Sequence, residues 1–323
     1  MAEHAATQSD PRGARIPLVF RQPFPRPGAA DLDDHQVGPR GGVRFRSAGQ
    51  GANRPALLPV TAVDTEACLG IIDWGIGGVG LVNALDRLVP GLPVVYWSDA
   101  GATPYGRMHA DELTDRLMRV VTALAERGAT EVVLACNAAS TVVAGLTAAP
   151  VVVEGIITHG LASVPEDLTS VGVVGGQRTI DAGHYQRGLA RPGRVVWPRV
   201  AQPLSAHIEA GRTASAQFQT DLADIVAPLR HAQALVLACT HYPAASRWFA
   251  AALPDTLLID PAEHLAAAIA YRYPELAWPA RPARKVFLTT GDPDAMRHNA
   301  ARAWGTLLTT RAVRRRGRSA LAS

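Results

Sequence analysis

Two stretches of this chain end an aliphatic run on a cysteine: Val132 to Ser140 reads VVLACNAAS, and Leu235 to Pro243 reads LVLACTHYP. Runs of this composition form buried parallel strands, so Cys136 and Cys239 are each expected where a strand opens into a loop. Open α/β sheets take their ligands at the carboxyl ends of the strands, and two thiols so placed would face one substrate from two half-domains. A free thiol ionises near pH ~8.5, and a helix N-terminus or a nearby cation lowers that value, which gives either sulfur access to the thiolate near neutrality. One thiolate taking a proton from carbon while the opposed thiol returns one to the other face would invert a stereocentre without a cofactor.

Two other chemistries compete for the same residues. Gly75, Gly77 and Gly80 form G-x-G-x-x-G between an apolar run and an amphipathic stretch, with Asp99 roughly twenty residues on, as a dinucleotide site requires. Asp73, directly before those glycines, would set a negative charge against a pyrophosphate. Cys136, Cys239 and His241 are metal-ligand types, but no Cys-x-x-Cys or His-Glu-x-x-His spacing accompanies them. A G-x-S-x-G nucleophile elbow is absent.

The elements that must position these groups alternate. Strands are expected at Cys68–Asp73, Leu92–Ser98, Val132–Cys136, Ala149–Ile157, Val171–Val174, Arg194–Trp197, Leu235–Cys239, Thr256–Asp260 and Lys285–Thr290. Helical patterns lie between them, among them one continuous helix over Thr179–Leu189 and one over Ala214–Leu229. Pro203–Gly211 is expected to cap the latter. Such alternation predicts parallel sheets covered on both faces.

Composition sets the frame. The 323 residues, 48% hydrophobic and 19% charged, suffice for one large or two ordinary domains. Arginines crowd the first fifty residues and the stretch Arg311 to Arg318, so the net charge of +4 belongs mostly to the ends. With 6% aromatic residues and no basic-aromatic stripe, nucleic acid is not an expected partner. Three cysteines without a paired spacing predict free thiols in a reducing cytoplasm. No apolar run reaches the ~18 residues of a membrane span and no secretory signal opens the chain, so no membrane partner is expected. Residues 1–66, rich in Pro, Gly, Arg and Asp, are expected to be a disordered extension. With no methionine between Met1 and Met108, they also fit a start site placed too early.

From about Leu69 to Gly305 the chain resembles glutamate racemases of the pyridoxal-independent aspartate/glutamate racemase superfamily. The resemblance rests on Asp73 with its glycine turn, Pro104-Tyr105-Gly106, Cys136-Asn137-Ala138-Ala139-Ser140, Thr179 with Tyr185-Gln186, Cys239-Thr240-His241-Tyr242-Pro243, Asp260 and Thr290-Gly291-Asp292, all in order. It implies two pseudo-symmetric α/β domains with central parallel sheets and an active site between them. The first would comprise residues 67–156 plus 263–310 and the second 157–262, leaving a basic tail over 311–323. It further implies racemisation of an acidic amino acid, most simply glutamate for peptidoglycan precursors, with no cofactor and no metal. A homodimer is compatible with it.

By the same resemblance Cys136 and Cys239 are acid and base, Asp73 assists the first thiol, and His241 and Glu209 assist the second. Pro104, Tyr105 and Gly106 match the loop that receives the distal carboxylate, while Asn137 and Thr240 match groups that hold the α-substituents. Two positions depart from the pattern: Trp74 stands where the family has serine, and Ala138 where it has threonine. Both lost hydroxyls would hydrogen-bond substrate, so these substitutions imply weaker glutamate binding, another small carboxylate substrate, or a non-catalytic binding paralogue. Thr158-His159 also replaces the family's Glu-Pro.

Overall fold

A computed structural model of the chain describes residues 67–279 and 281–313. The extension expected over 1–66 and the end of the expected tail, 314–323, lie outside the described residues. β1 (Leu69–Asp73) is buried along its whole length. Its alternate residues feed two cores: Leu69 and Ile71 join one buried cluster and Ile72 the other, as a strand covered on both faces requires. α1 (Val79–Leu88), β2 (Val94–Ser98), a 3-10 turn (Tyr105–Arg107), α2 (Ala110–Ala125), β3 (Glu131–Leu134), α3 (Asn137–Ser140), β4 (Val152–Gly155) and α4 (Ile156–Ala162) complete the first series.

The second series restarts the pattern with β5 (Ser170–Gly175), α5 (Gln177–Ala182), α6 (His184–Leu189), β6 (Val195–Val200), α7 (Gln202–Glu209) and α8 (Ala216–Val226). It continues through β7 (Ala234–Ala238), a 3-10 turn (Tyr242–Ala245), α9 (Ser246–Ala252), β8 (Leu257–Ile259) and α10 (Pro261–Arg272). β9 (Lys285–Thr289), α11 (Pro293–Trp304) and β10 (Thr310–Ala312) then return to the first sheet. Asp292 caps α11, accepting a hydrogen bond from the Asp294 N–H at 2.8 Å, and Gly305 ends it in the left-handed conformation.

Among the described residues the strands form two sheets, ordered β10-β9-β2-β1-β3-β4 and β6-β5-β7-β8. Every strand pair in both is parallel. The run β2-β1-β3-β4 recurs as β6-β5-β7-β8, so Cys136 after β3 and Cys239 after β7 occupy matched positions. In each sheet the chain turns back across its first strand, which opens a crevice at the strands' carboxyl ends. The two sheets and their helices are the α/β architecture expected from the sequence.

Several local expectations are corrected. The helix over Thr179–Leu189 is two helices, because Gly183 takes φ 67° between α5 and α6. Pro203–Gly211 does not merely cap its successor: Gln202–Glu209 is a helix in its own right, with Pro203 in its first turn. The strand over Ala149–Ile157 shrinks to Val152–Gly155, since Ile156 already begins α4. Arg311 and Ala312, assigned to the tail, pair in register with Leu288 and Thr289 of β9.

Candidate active site

β1 delivers Asp73 to the crevice, where it is fully buried. Its Oδ1 accepts the Gly75 N–H at 3.3 Å, while Oδ2 has no hydrogen-bond partner among the described residues. Burial pushes this carboxyl above its ordinary range, against the opposing pull of His241, the Thr240 side chain and the Gly75 N–H. β3 delivers Cys136, which sits at the start of α3 and is partly exposed. Its thiol is held far above the usual value by burial and by the Asp73 charge, with the Ala139 and Ala138 N–H groups opposing. Cys239 also acts on Cys136 electrostatically, as expected of two sulfurs sharing one space. Asn137 is buried, accepts the Tyr185 hydroxyl at 2.8 Å, and has an Nδ2 without a partner among the described residues.

β7 delivers the second thiol. Cys239 Sγ lies 3.8 Å from His241 Nδ1, and His241 Nε2 lies 2.7 Å from Glu209 Oε2. The same Oε2 accepts the Ile76 N–H at 2.9 Å, so α7 is joined to the turn after β1. Burial alone would lower the His241 pKa, but the contacts with Cys239 and Glu209 outweigh it and hold the imidazole well above its ordinary value. Thr240 is buried against the same turn: a Cβ at Gly77 would overlap Thr240 and His241, and one at Gly75 would overlap Glu209. Tyr242 anchors the segment from below, its hydroxyl donating to Ala201 O at 2.8 Å.

The third wall is the loop after β2. Asp99 is buried and holds it together: Tyr105 Oη and Arg116 Nε donate to Oδ2 at 2.9 and 2.8 Å, Thr290 Oγ1 donates to Oδ1 at 2.9 Å, and Arg116 Nη2 pairs with Oδ1. Trp74 joins from the other side, its indole N–H donating to Ala102 O at 3.0 Å. Trp74, Ala102, Cys136 and Ala138 all pack on the buried cluster that contains Tyr105. Pro104 precedes the 3-10 turn and Gly106 is exposed within it.

The structure therefore brings Asp73, Cys136, Asn137, Glu209, Cys239, Thr240 and His241 together across the crevice, with Trp74, Pro104, Tyr105, Gly106 and Ala138 along one wall. Tyr105 is present but its hydroxyl is spent on Asp99. The dinucleotide alternative finds no support in this geometry. Asp99 is engaged by Arg116, Tyr105 and Thr290 rather than facing a ribose, and the glycine turn is filled by the protein's own Glu209, Thr240 and His241. Among the described residues no three metal-ligating side chains stand together, so Cys136, Cys239 and His241 do not form a metal set. Three features leave no mark in the sequence: the Asp99–Arg116–Thr290 brace, the indole of Trp304 donating to Ile76 O at 3.0 Å, and Arg178. The last donates to Thr141 Oγ1 at 2.9 Å and to Met108 O at 2.7 Å. No local motif announces any of them; the charge alternation of α2 hides Arg116 among surface residues.

A family model described as Asp/Glu/Hydantoin racemase matches residues 69–269. The glutamate racemase of Mycobacterium tuberculosis is 31% identical over 254 residues, covering 75% of this chain and 94% of that protein. A glutamate racemase of Thermus thermophilus is 30% identical over 251 residues, covering 74% and 93%. Among solved structures, a Thermus thermophilus glutamate racemase in complex with β-chloro-D-alanine aligns with TM-score 0.69 and 28% identity, over 77% of this chain and 98% of that one. Glutamate racemase isoform RacE1 of Bacillus anthracis aligns with TM-score 0.71 over the same shares at 24% identity, a likeness of fold.

Proposed function

Since the chain belongs to the Asp/Glu/Hydantoin racemase family, we propose that it racemises glutamate without a cofactor, using Cys136 and Cys239 as opposed acid and base. The protein is an isomerase of the racemase class. The observation that carries the mechanism is the matched placement of two partly exposed thiols after β3 and β7, each backed by its own buried titratable partner.

In one direction the Cys239 thiolate takes the α-proton: the Cα–H bond breaks, an S–H bond forms, and the electron pair stays on Cα. Cys136 then gives its proton to the opposite face, which leaves it as thiolate and yields the enantiomer. His241, 3.8 Å from Cys239 Sγ, moves the proton that resets this thiol, and Glu209 holds the imidazole in place. On the other side the high pKa of Cys136 keeps it a thiol, ready to act as the acid. The unpartnered Nδ2 of Asn137 suits the α-carboxylate, because a neutral donor binds it without quenching a thiolate. D-glutamate so made would supply peptidoglycan synthesis in the cytoplasm, where free thiols persist.

Trp74 and Ala138 do not favour a different substrate over glutamate. The indole N–H is committed to Ala102 O, so Trp74 acts as part of the wall and leaves both thiols, Asn137 and Thr240 in place. Incubation with L-glutamate and with D-glutamate in deuterium oxide tests the proposal. Deuterium should enter at Cα from both starting enantiomers and the optical rotation should decay to zero; absence of exchange from either overturns it.

A further inference from the structure

Among the described residues, Arg178 is a cation without a counter-ion at the mouth of a site for an acidic substrate. It stands in the first turn of α5, directly after β5, and reaches across to the first sheet's loops. Nε donates to Thr141 Oγ1 at 2.9 Å, at the end of α3, and Nη1 donates to Met108 O at 2.7 Å, just past the Tyr105–Arg107 turn. Neither a partner for Nη2 nor a carboxylate paired with the guanidinium is found among the described residues. Burial lowers its pKa while Cys136, when ionised, acts in the opposite sense, so the cation is partly desolvated and within electrostatic reach of the first thiol. An unpaired, partly buried guanidinium is costly unless an anion completes it.

The other side chains of this wall offer that anion no free donor, which leaves Arg178 to act beside the backbone N–H groups of the loop. The Tyr105 hydroxyl is bound to Asp99, the Trp74 indole N–H to Ala102 O, and the Ala138 side chain has no polar atom. Held at the end of α3 and just past the Tyr105–Arg107 turn, within electrostatic reach of Cys136, this planar fork with N–H groups to spare stands where an acidic side chain on a substrate bound at that thiol can meet it. We propose that Arg178 binds the side-chain carboxylate of the substrate and sets the preference for an acidic over a neutral amino acid. The inference rests on the glutamate reading above and assigns its specificity to one residue.

The test measures D-glutamate and D-glutamine binding calorimetrically, together with racemisation of both, in the wild type, Arg178→Met and Arg178→Lys. Arg178→Met should weaken glutamate binding and raise its KM about 10–100-fold, as for loss of a charge-assisted hydrogen bond. Glutamine should be affected less than about threefold and kcat should change little, so the glutamate-to-glutamine ratio collapses; Arg178→Lys should restore part of it. Equal losses for both ligands, or a loss confined to kcat with a shifted pH profile, would overturn the assignment and give Arg178 an electrostatic role toward Cys136. A wild type that binds glutamate without turning it over defeats the racemase reading, yet the binding ratio still decides Arg178. A wild type that binds neither ligand overturns Arg178 as well. If Arg178→Met fails to fold, Arg178→Lys and Arg178→Gln carry the same comparison.

Discussion

Glu209 Oε2 meets His241 Nε2 at 2.7 Å and the Ile76 N–H at 2.9 Å, so one carboxylate of α7 both charges the imidazole behind Cys239 and fastens it to the turn after β1. Glu209→Gln keeps the shape and removes the charge. The imidazole pKa should fall, the alkaline limb of kcat/KM should move to lower pH, and kcat/KM should drop about 10–100-fold. The stability effect has a definite sign. His241 has a folded pKa above its unfolded value of ~6.5, so its stabilisation is complete below that pH and fades as pH rises through the folded value. The Tm gap between wild type and variant should therefore be widest in mild acid and close towards alkaline pH. An unmoved alkaline limb would contradict this account.

Cys136→Ala and Cys239→Ala each remove one of the two proposed proton carriers. Steady-state polarimetry should show full racemisation reduced by at least about 10²–10⁴-fold in either variant, with circular dichroism unchanged. Normal turnover in either one would exclude the two-thiol mechanism.

Asp73 is fully buried, with its folded pKa raised by that burial and one oxygen unpartnered among the described residues. A raised folded pKa means that ionisation costs the fold stability once pH exceeds the unfolded value of ~3.9. Asp73→Asn removes the charge and should raise Tm by about 2–4 °C at pH ~7–8, while kcat falls. Scanning calorimetry beside the racemisation assay checks both; a variant that loses stability would show that the contacts with Gly75, Thr240 and His241 outweigh the cost of burial.

Asp99→Ala leaves the guanidinium of Arg116 without its partner beside an otherwise buried brace. It should destabilise the protein by about 3–5 kcal/mol in urea unfolding. Because Tyr105 and Thr290 lose the same acceptor, KM for glutamate should rise more than kcat falls.

Trp74→Ser exchanges an indole that holds Ala102 for the hydroxyl found in the family pattern. The lost packing and hydrogen bond should cost about 1–3 kcal/mol. If Trp74 is only a wall, KM should fall or stay level when stability is restored by working at lower temperature. A KM rising tenfold or more would mean that the indole itself contacts substrate.

The strands and both thiols are readable because a strand covered on two faces leaves an unmistakable aliphatic run, and each run here stops at its cysteine. The break at Gly183 is less visible, since a single glycine inside a helical pattern signals either tolerance or a stop, and only the positive φ decides. Gln202–Glu209 hides as a helix because proline near its start looks like a loop residue until it is placed in the first turn. Asp99 misleads for a different reason: its spacing from the glycines fits a ribose contact, and nothing local reveals that Arg116, one helix later, and Thr290, far along the chain, will claim both its oxygens. Arg178 has the same character, being defined by Thr141 and Met108 in another part of the fold. Pairings across long sequence separations leave no period and no motif.

The turn Gly75–Ile76–Gly77 has a role apart from any ligand. Bare backbone there meets Glu209 on one side and Thr240 with His241 on the other, at separations that a single methyl group would violate. Thr240 and His241 of the second sheet's loop thus meet the first sheet's main chain directly, while Glu209 reaches it through its carboxylate. Proton transfer to and from one carbon tolerates little error in distance, and about 1 Å of misplacement can cost on the order of 10²-fold in rate. A glycine pattern that on paper suggests a cradle for phosphate behaves in the folded protein as a spacer block, setting how closely the loop after β7 approaches the turn after β1.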